Sequence, residues 1–182
     1  QSLLDEILNQ DNAAGLQTRA LVWVKNGNII AESYAKGIDH NTPLLGWSMG
    51  KSLTAMLLGR MEFMGHVSLK ENDLFPTWSK DARNNIDLED LLQMSSGLAF
   101  DETYAPGSDS TKMLFMAHSA SDIALTATAE FPPGEHFSYS SGTTNIISRW
   151  MYERLGNNLQ ANYDFLIQEL FTELSMAHSI FE

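Results

Sequence analysis

The chain has 182 residues, 43% of them hydrophobic and 19% charged, which sets a prior of one domain or two small ones around a real core and excludes general disorder. Eleven Lys and Arg stand against 23 Asp and Glu, a net charge of −12, and the basic residues are scattered. Neither nucleic acid nor an anionic membrane surface is therefore an expected partner. The absence of Cys excludes disulfides, thiolate metal sites and thiol catalysis, and leaves the redox compartment open.

Leu3, Leu4, Ile7 and Leu8 recur at helical spacing, so residues 2–10 read as a short amphipathic helix. Ala20–Lys25 and Ile29–Tyr34 are β-type runs flanking Asn26-Gly27, a pair that supplies the positive φ angles of a tight hairpin turn. Residues 37–45 read as loop. From Ser48 the pattern turns helical: Leu53, Met56, Leu57, Arg60, Met61 and Met64 follow the i, i+3, i+4 rule, and Gly65 ends the run. Asp87 with Asp90 reads as a capping arrangement for a helix over Leu88–Met94. Further helices are expected over Met113–His118, Asp122–Ala129, Thr143–Leu155 and Tyr163–Leu174, with Phe131-Pro-Pro-Gly134 as a loop stop.

The expected fold class is thus α+β: a helix and β-hairpin over residues 1–40, then a mostly helical part over 41–182. Two antiparallel strands are marginal alone in water, and these are rich in Val, Ile, Leu and Trp. They call for partner strands, yet no later segment supplies one. No apolar run approaches the ~18 residues of a membrane-spanning helix. The first residue is Gln1, with no signal-like apolar run after it, so a processed or trimmed start is expected.

Chemistry enters with Ser-x-x-Lys. On a helix this spacing puts a hydroxyl and an amine on one face, and a desolvated amine can serve as the base that makes the serine a nucleophile. With 18 Ser and 6 Lys in the chain, chance alone gives about 0.6 such spacings. Two occur, Ser33/Lys36 and Ser48/Lys51. The first ends a strand, where residues three apart face opposite ways, so it cannot pair. The second opens a helix, whose free N–H groups and dipole favour a developing oxyanion; a plain N-cap serine is the bland alternative. Tyr139-Ser140-Ser141 adds a second feature. Tyr139 alone among the five tyrosines has Ser or Asn two places on. A tyrosine facing a Ser/Lys pair can share its proton relay; a half-buried aromatic is the ordinary fate.

Leu45-Gly-Trp-Ser-Met-Gly-Lys-Ser-Leu-Thr54, Asp87-Leu-Glu-Asp-Leu-Leu-Gln-Met-Ser-Ser-Gly-Leu98 and Pro133-Gly134 through Tyr139-Ser-Ser141 together resemble the class C β-lactamase-like, penicillin-recognising serine hydrolases. The match runs from the Ala20 hairpin to Met176, and its wording is nearest to the 6-aminohexanoate-dimer hydrolase and esterase branch. The resemblance implies a β-lactamase/transpeptidase-like fold and cleavage of an ester or amide, with β-lactams and 6-aminohexanoate-type amides among the substrates, through an acyl-serine. Ser48 would be the nucleophile, Lys51 its base or relay partner and Tyr139 the second relay group. Ser141 would be a substrate-binding residue standing where the family often has Asn. The backbone N–H of Ser48 would form half of an oxyanion hole, and Trp47 a pocket wall or part of the core. The implied alternative is a sensor that is acylated but turns over negligibly. The family's third motif, Lys-Thr-Gly or His-x-Gly on a later strand, is missing, so the chain reads as the N-terminal portion of a longer hydrolase. As such it is expected to be a weak catalyst whose open sheet edges pair with a second copy or a C-terminal piece. An exported or periplasmic setting is favoured, with the cytoplasm left open.

Other candidates carry less. His40, His66, His118, His136 and His178 show no metal-binding spacing, so no metal or other cofactor is expected. His136 lies near Tyr139 but reads as a solvated loop residue. Glu130 and Glu135 read as surface charge, and Gly142 as a backbone necessity. Met49, Met56, Met61 and Met64 read as core filling.

Overall fold

The computed structural model describes residues 2–181; Gln1 and Glu182, the ends of the expected domain, lie outside the described residues. The chain forms two compact units, Gln1–Leu45 with Ala177–Glu182, and Gly46–Met176.

The first unit holds helix α1 (Ser2–Ala13) and an antiparallel hairpin of β1 (Ala20–Lys25) and β2 (Asn28–Tyr34). Asn26 and Gly27 have φ of 51° and 76°, the pair of left-handed residues that a two-residue turn matching strand twist requires. The ladder shifts between Trp23 and Val24: Trp23 faces Ala31 while Val24 faces Ile29. Ile30 is the extra residue of this bulge. α1 packs on β2, with Leu8 and Ala31 buried. Ser33, also buried, donates from Oγ to Asp5 Oδ1 at 2.6 Å, a partner unrelated to Lys36. Val22, Trp23, Val24, Ile29 and Ile30 are each at least half exposed. The strand deficit read from the sequence is real among the described residues: the sheet there has two strands.

The second unit is helical. α2 (Met49–Phe63) buries Thr54, Leu57, Leu58 and Met61 at i, i+3, i+4, i+7, and α6 (Ser141–Arg154) buries Thr143, Ile146, Ile147, Trp150 and Met151 in the same rhythm. These faces meet Trp78, Ile86, Leu88 and Leu91 in one core. Trp78 is fully buried, and its indole N–H donates to the Leu125 carbonyl at 3.0 Å. Asp87 and Asp90 form a reciprocal capping box on α3 (Leu88–Leu92). Burial raises the pKa of Asp90 above the ordinary carboxylate value.

Several boundaries differ from expectation for identifiable reasons. α4 spans Asp109–Phe115 because Ser108 caps it four residues earlier than the apolar pattern shows. α5 (Asp122–Leu125) is short, since the following residues leave the helix to bond another segment: Ala99 N–H donates to Thr128 O at 2.9 Å, and Leu98 and Ala129 form an isolated bridge. The last helix, α7 (Leu159–Leu166), starts at an Asn158 cap and widens into a π turn over Ile167–Phe171. Of the four α2-region methionines, only Met61 fills the core. Met49 is 68% exposed, and Met56 and Met64 also lie on the surface, so the core-filling expectation fails for those three. They sit on the side of the helix opposite the Leu57/Leu58/Met61 stripe or beyond its ends. Among the described residues no helix is long and apolar enough to cross a membrane.

Candidate active site

Ser48 sits where the loop ending at Trp47 becomes α2. Trp47 has φ +44°, unusual for a bulky side chain, and is 77% exposed. It is not part of the core. Ser48 has φ −64° and ψ −6°, so its backbone is already helical, and its side chain caps no N–H. The plain N-cap alternative therefore does not hold. Its hydroxyl instead accepts from Lys51 Nζ at 3.1 Å, one helical turn on. The next amides, Met49 and Gly50, are spent on Gly46 and Trp47 carbonyls. The N–H of Ser48 itself meets no acceptor among the described residues.

Tyr139 arrives on the loop between Phe131 and α6. That loop is fastened to the segment after α3: Gly134 N–H donates to Ser95 O and Ser138 N–H to Met94 O, each at 2.8 Å. Glu130 and Phe131 donate to Gly97 O at 2.8 and 3.2 Å. Polar interaction with Ser48 and then with Lys51 holds the phenol's pKa below the ordinary tyrosine value. Lys51 Nζ also lies 4.9 Å from the Tyr139 ring centroid.

Ser141, the first residue of α6, closes the group from the other side. Its Oγ accepts from Lys51 Nζ at 3.0 Å. The start of α6 packs against Phe100 and Ala124 so tightly that residue 142 is glycine: a Cβ there would lie 2.6–2.7 Å from both. Ser48, Tyr139 and Ser141, from two separate stretches of chain, thus converge on the Lys51 amine. Trp47 neighbours them in sequence and is open to solvent.

Sequence reasoning missed Glu102. Its carboxylate accepts from Ser141 Oγ at 2.5 Å and from Ser141 N–H at 2.7 Å, with the Tyr104 hydroxyl at 3.4 Å. No spacing links it to Ser141, 39 residues away; the acidic residue at a helix N-terminus is a signal visible only once the loop is placed. His136 stacks on Phe131 with ring centroids 4.1 Å apart, and Glu130 and Glu135 are exposed. Among the described residues no three His, Cys, Asp or Glu cluster as a metal would need.

The family model named Beta-lactamase matches residues 3–181, and the chain belongs to that family. Among solved structures it is similar to a candidate β-lactamase from Bacteroides dorei DSM 17855, at 22% identity and a TM-score of 0.76, over 96% of this chain and 51% of that one. It is also similar to a candidate 6-aminohexanoate-dimer hydrolase from Bacillus anthracis, at 19% identity and a TM-score of 0.67, over 91% of this chain and 46% of that one. The chain thus spans about half the length of these structures, and the likeness is one of fold. No curated protein matches it.

Proposed function

We propose that the chain carries the nucleophile half of a serine hydrolase acting on small esters or amides through an acyl-serine. The observation that supports this best is the three-way contact of Lys51 with Ser48, Ser141 and Tyr139 at the start of α2. Ser48 Oγ attacks the carbonyl carbon, and its proton passes to the Tyr139–Lys51 couple. The oxygen of the tetrahedral adduct lies at the α2 N-terminus, where the uncommitted Ser48 N–H is one donor. Collapse breaks the bond to the leaving alcohol or amine, which takes the proton back from the couple. Water then attacks acyl-Ser48, losing a proton to the couple as the acid product leaves and Ser48 Oγ is reprotonated.

In this reading Ser141 and the exposed Trp47 flank the bound acyl group. A sensor would be acylated without the second step. Hydrolysis of a p-nitrophenyl ester separates the two. Turnover well beyond one product per chain, lost in Ser48→Ala, is the expected result. A single stoichiometric burst would favour the sensor, and equal turnover by Ser48→Ala would refute the assignment.

A further inference from the structure

The Lys51 ammonium donates to Ser48 Oγ at 3.1 Å and to Ser141 Oγ at 3.0 Å, and the Tyr139 ring centroid lies 4.9 Å from its Nζ. Ser141 has one hydroxyl proton, and that proton goes to Glu102 at 2.5 Å. The hydroxyl can therefore only accept from Lys51. Glu102 is held in place by the Ser141 backbone N–H at 2.7 Å, a donor that cannot reverse. That amide lies in the first turn of α6, where the helix dipole favours negative charge.

From this one-way chain we infer that Glu102 is a positioning residue for the Ser48/Lys51 chemistry: by fixing Ser141 as an acceptor, it keeps the lone pair of a deprotonated Lys51 turned toward Ser48 and Tyr139. When Lys51 passes a proton to a deprotonated Tyr139, its partner in the couple, the vacated site cannot face Ser141, which has no proton to offer it. It faces the two groups between which the nucleophile's proton moves. This rests on the reading of Ser48 as nucleophile given above.

Glu102→Gln tests the polarity without changing the shape. The Ser141 N–H requires the amide oxygen on its side, so the amide NH₂ must face Ser141 Oγ. Ser141 then turns its proton toward Lys51 and occupies the lone pair. A positioned base contributes about 10²–10⁴-fold in rate, so a base held the wrong way round should lose at least about tenfold. In Ser141→Ala no hydroxyl remains to be turned, and adding Glu102→Gln should cost little more.

The experiment is the rate of acylation-type labelling of the full chain by a fluorophosphonate, followed by intact mass, for the parent, Glu102→Gln, Ser141→Ala and the double variant, with thermal melts of each. The expected result is a Glu102→Gln rate at least tenfold below the parent at unchanged melting temperature, and a double variant within about twofold of Ser141→Ala. A Glu102→Gln rate equal to the parent overturns the inference. So does an equal further loss in the Ser141→Ala background, which would mark Glu102 as merely structural. Should Glu102→Gln fail to fold, the comparison of Glu102→Ala with and without Ser141→Ala reads the same coupling. A parent chain that takes no label at Ser48 overturns the underlying hydrolase reading instead.

Discussion

Gly97→Ala is the substitution through which fold and site are most tightly linked. Gly97 has φ +73°, and a Cβ built on it would lie 2.1 Å from the Phe131 carbonyl oxygen and 2.8 Å from its carbon. Both are backbone atoms, so no side chain can swing away, and the strand-like segment carrying Phe131 must retreat by nearly 1 Å. Left-handed backbone costs alanine about 1–2 kcal/mol over glycine. The retreat also weakens the bonds from Glu130 and Phe131 to Gly97 O, each worth about 0.5–1.5 kcal/mol. The total destabilisation is about 2–5 kcal/mol, read as a lower urea midpoint by Trp fluorescence with its slope unchanged. Because the same segment leads into the loop bearing Tyr139, the relay is displaced as well. A misplacement near 1 Å can cost about 10²-fold in rate, so labelling of Ser48 in the folded fraction should slow by that order. A variant melting within about 0.5 kcal/mol of the parent and labelling at the parent rate would refute this account of Gly97.

Polar interaction with Ser48 and Lys51 lowers the Tyr139 pKa, so the labelling rate should rise with pH through an apparent pKa below the ordinary value of 10 and level off above it. Tyr139→Phe should abolish or displace that limb; an unmoved limb would exclude the phenol from the relay. We also propose that the hairpin pairs with another strand, since Val22, Trp23, Val24, Ile29 and Ile30 are exposed on a sheet that has two strands among the described residues. Light scattering after size exclusion should give a mass above 20.3 kDa that Trp23→Lys reduces; a clean 20.3 kDa monomer would contradict it.

The hairpin was legible because Asn26-Gly27 encodes its turn locally, and the Asp87/Asp90 cap because its partners are three residues apart. The Ser48/Lys51 pair was legible for the same reason, one turn of helix. Tyr139 and Ser141 were reached through their motif and the family resemblance; the contacts that bring them to Lys51 cross about 90 residues. Glu102 stayed hidden because neither periodicity nor motif marks it: a loop that the sequence leaves unshaped delivers it. The exposed methionines were misread for a different reason. Apolar spacing along α2 shows that a face exists, but Met49, Met56 and Met64 lie off the stripe that Leu57, Leu58 and Met61 bury.

The most direct test of the central claim is to map the peptide modified when the chain is treated with a fluorophosphonate or a penicillin. The account predicts a single adduct on the peptide containing Ser48, absent in Ser48→Ala and formed about 10²-fold or more slowly in Lys51→Met. An adduct on a different serine, or none with any acylating probe, would contradict it.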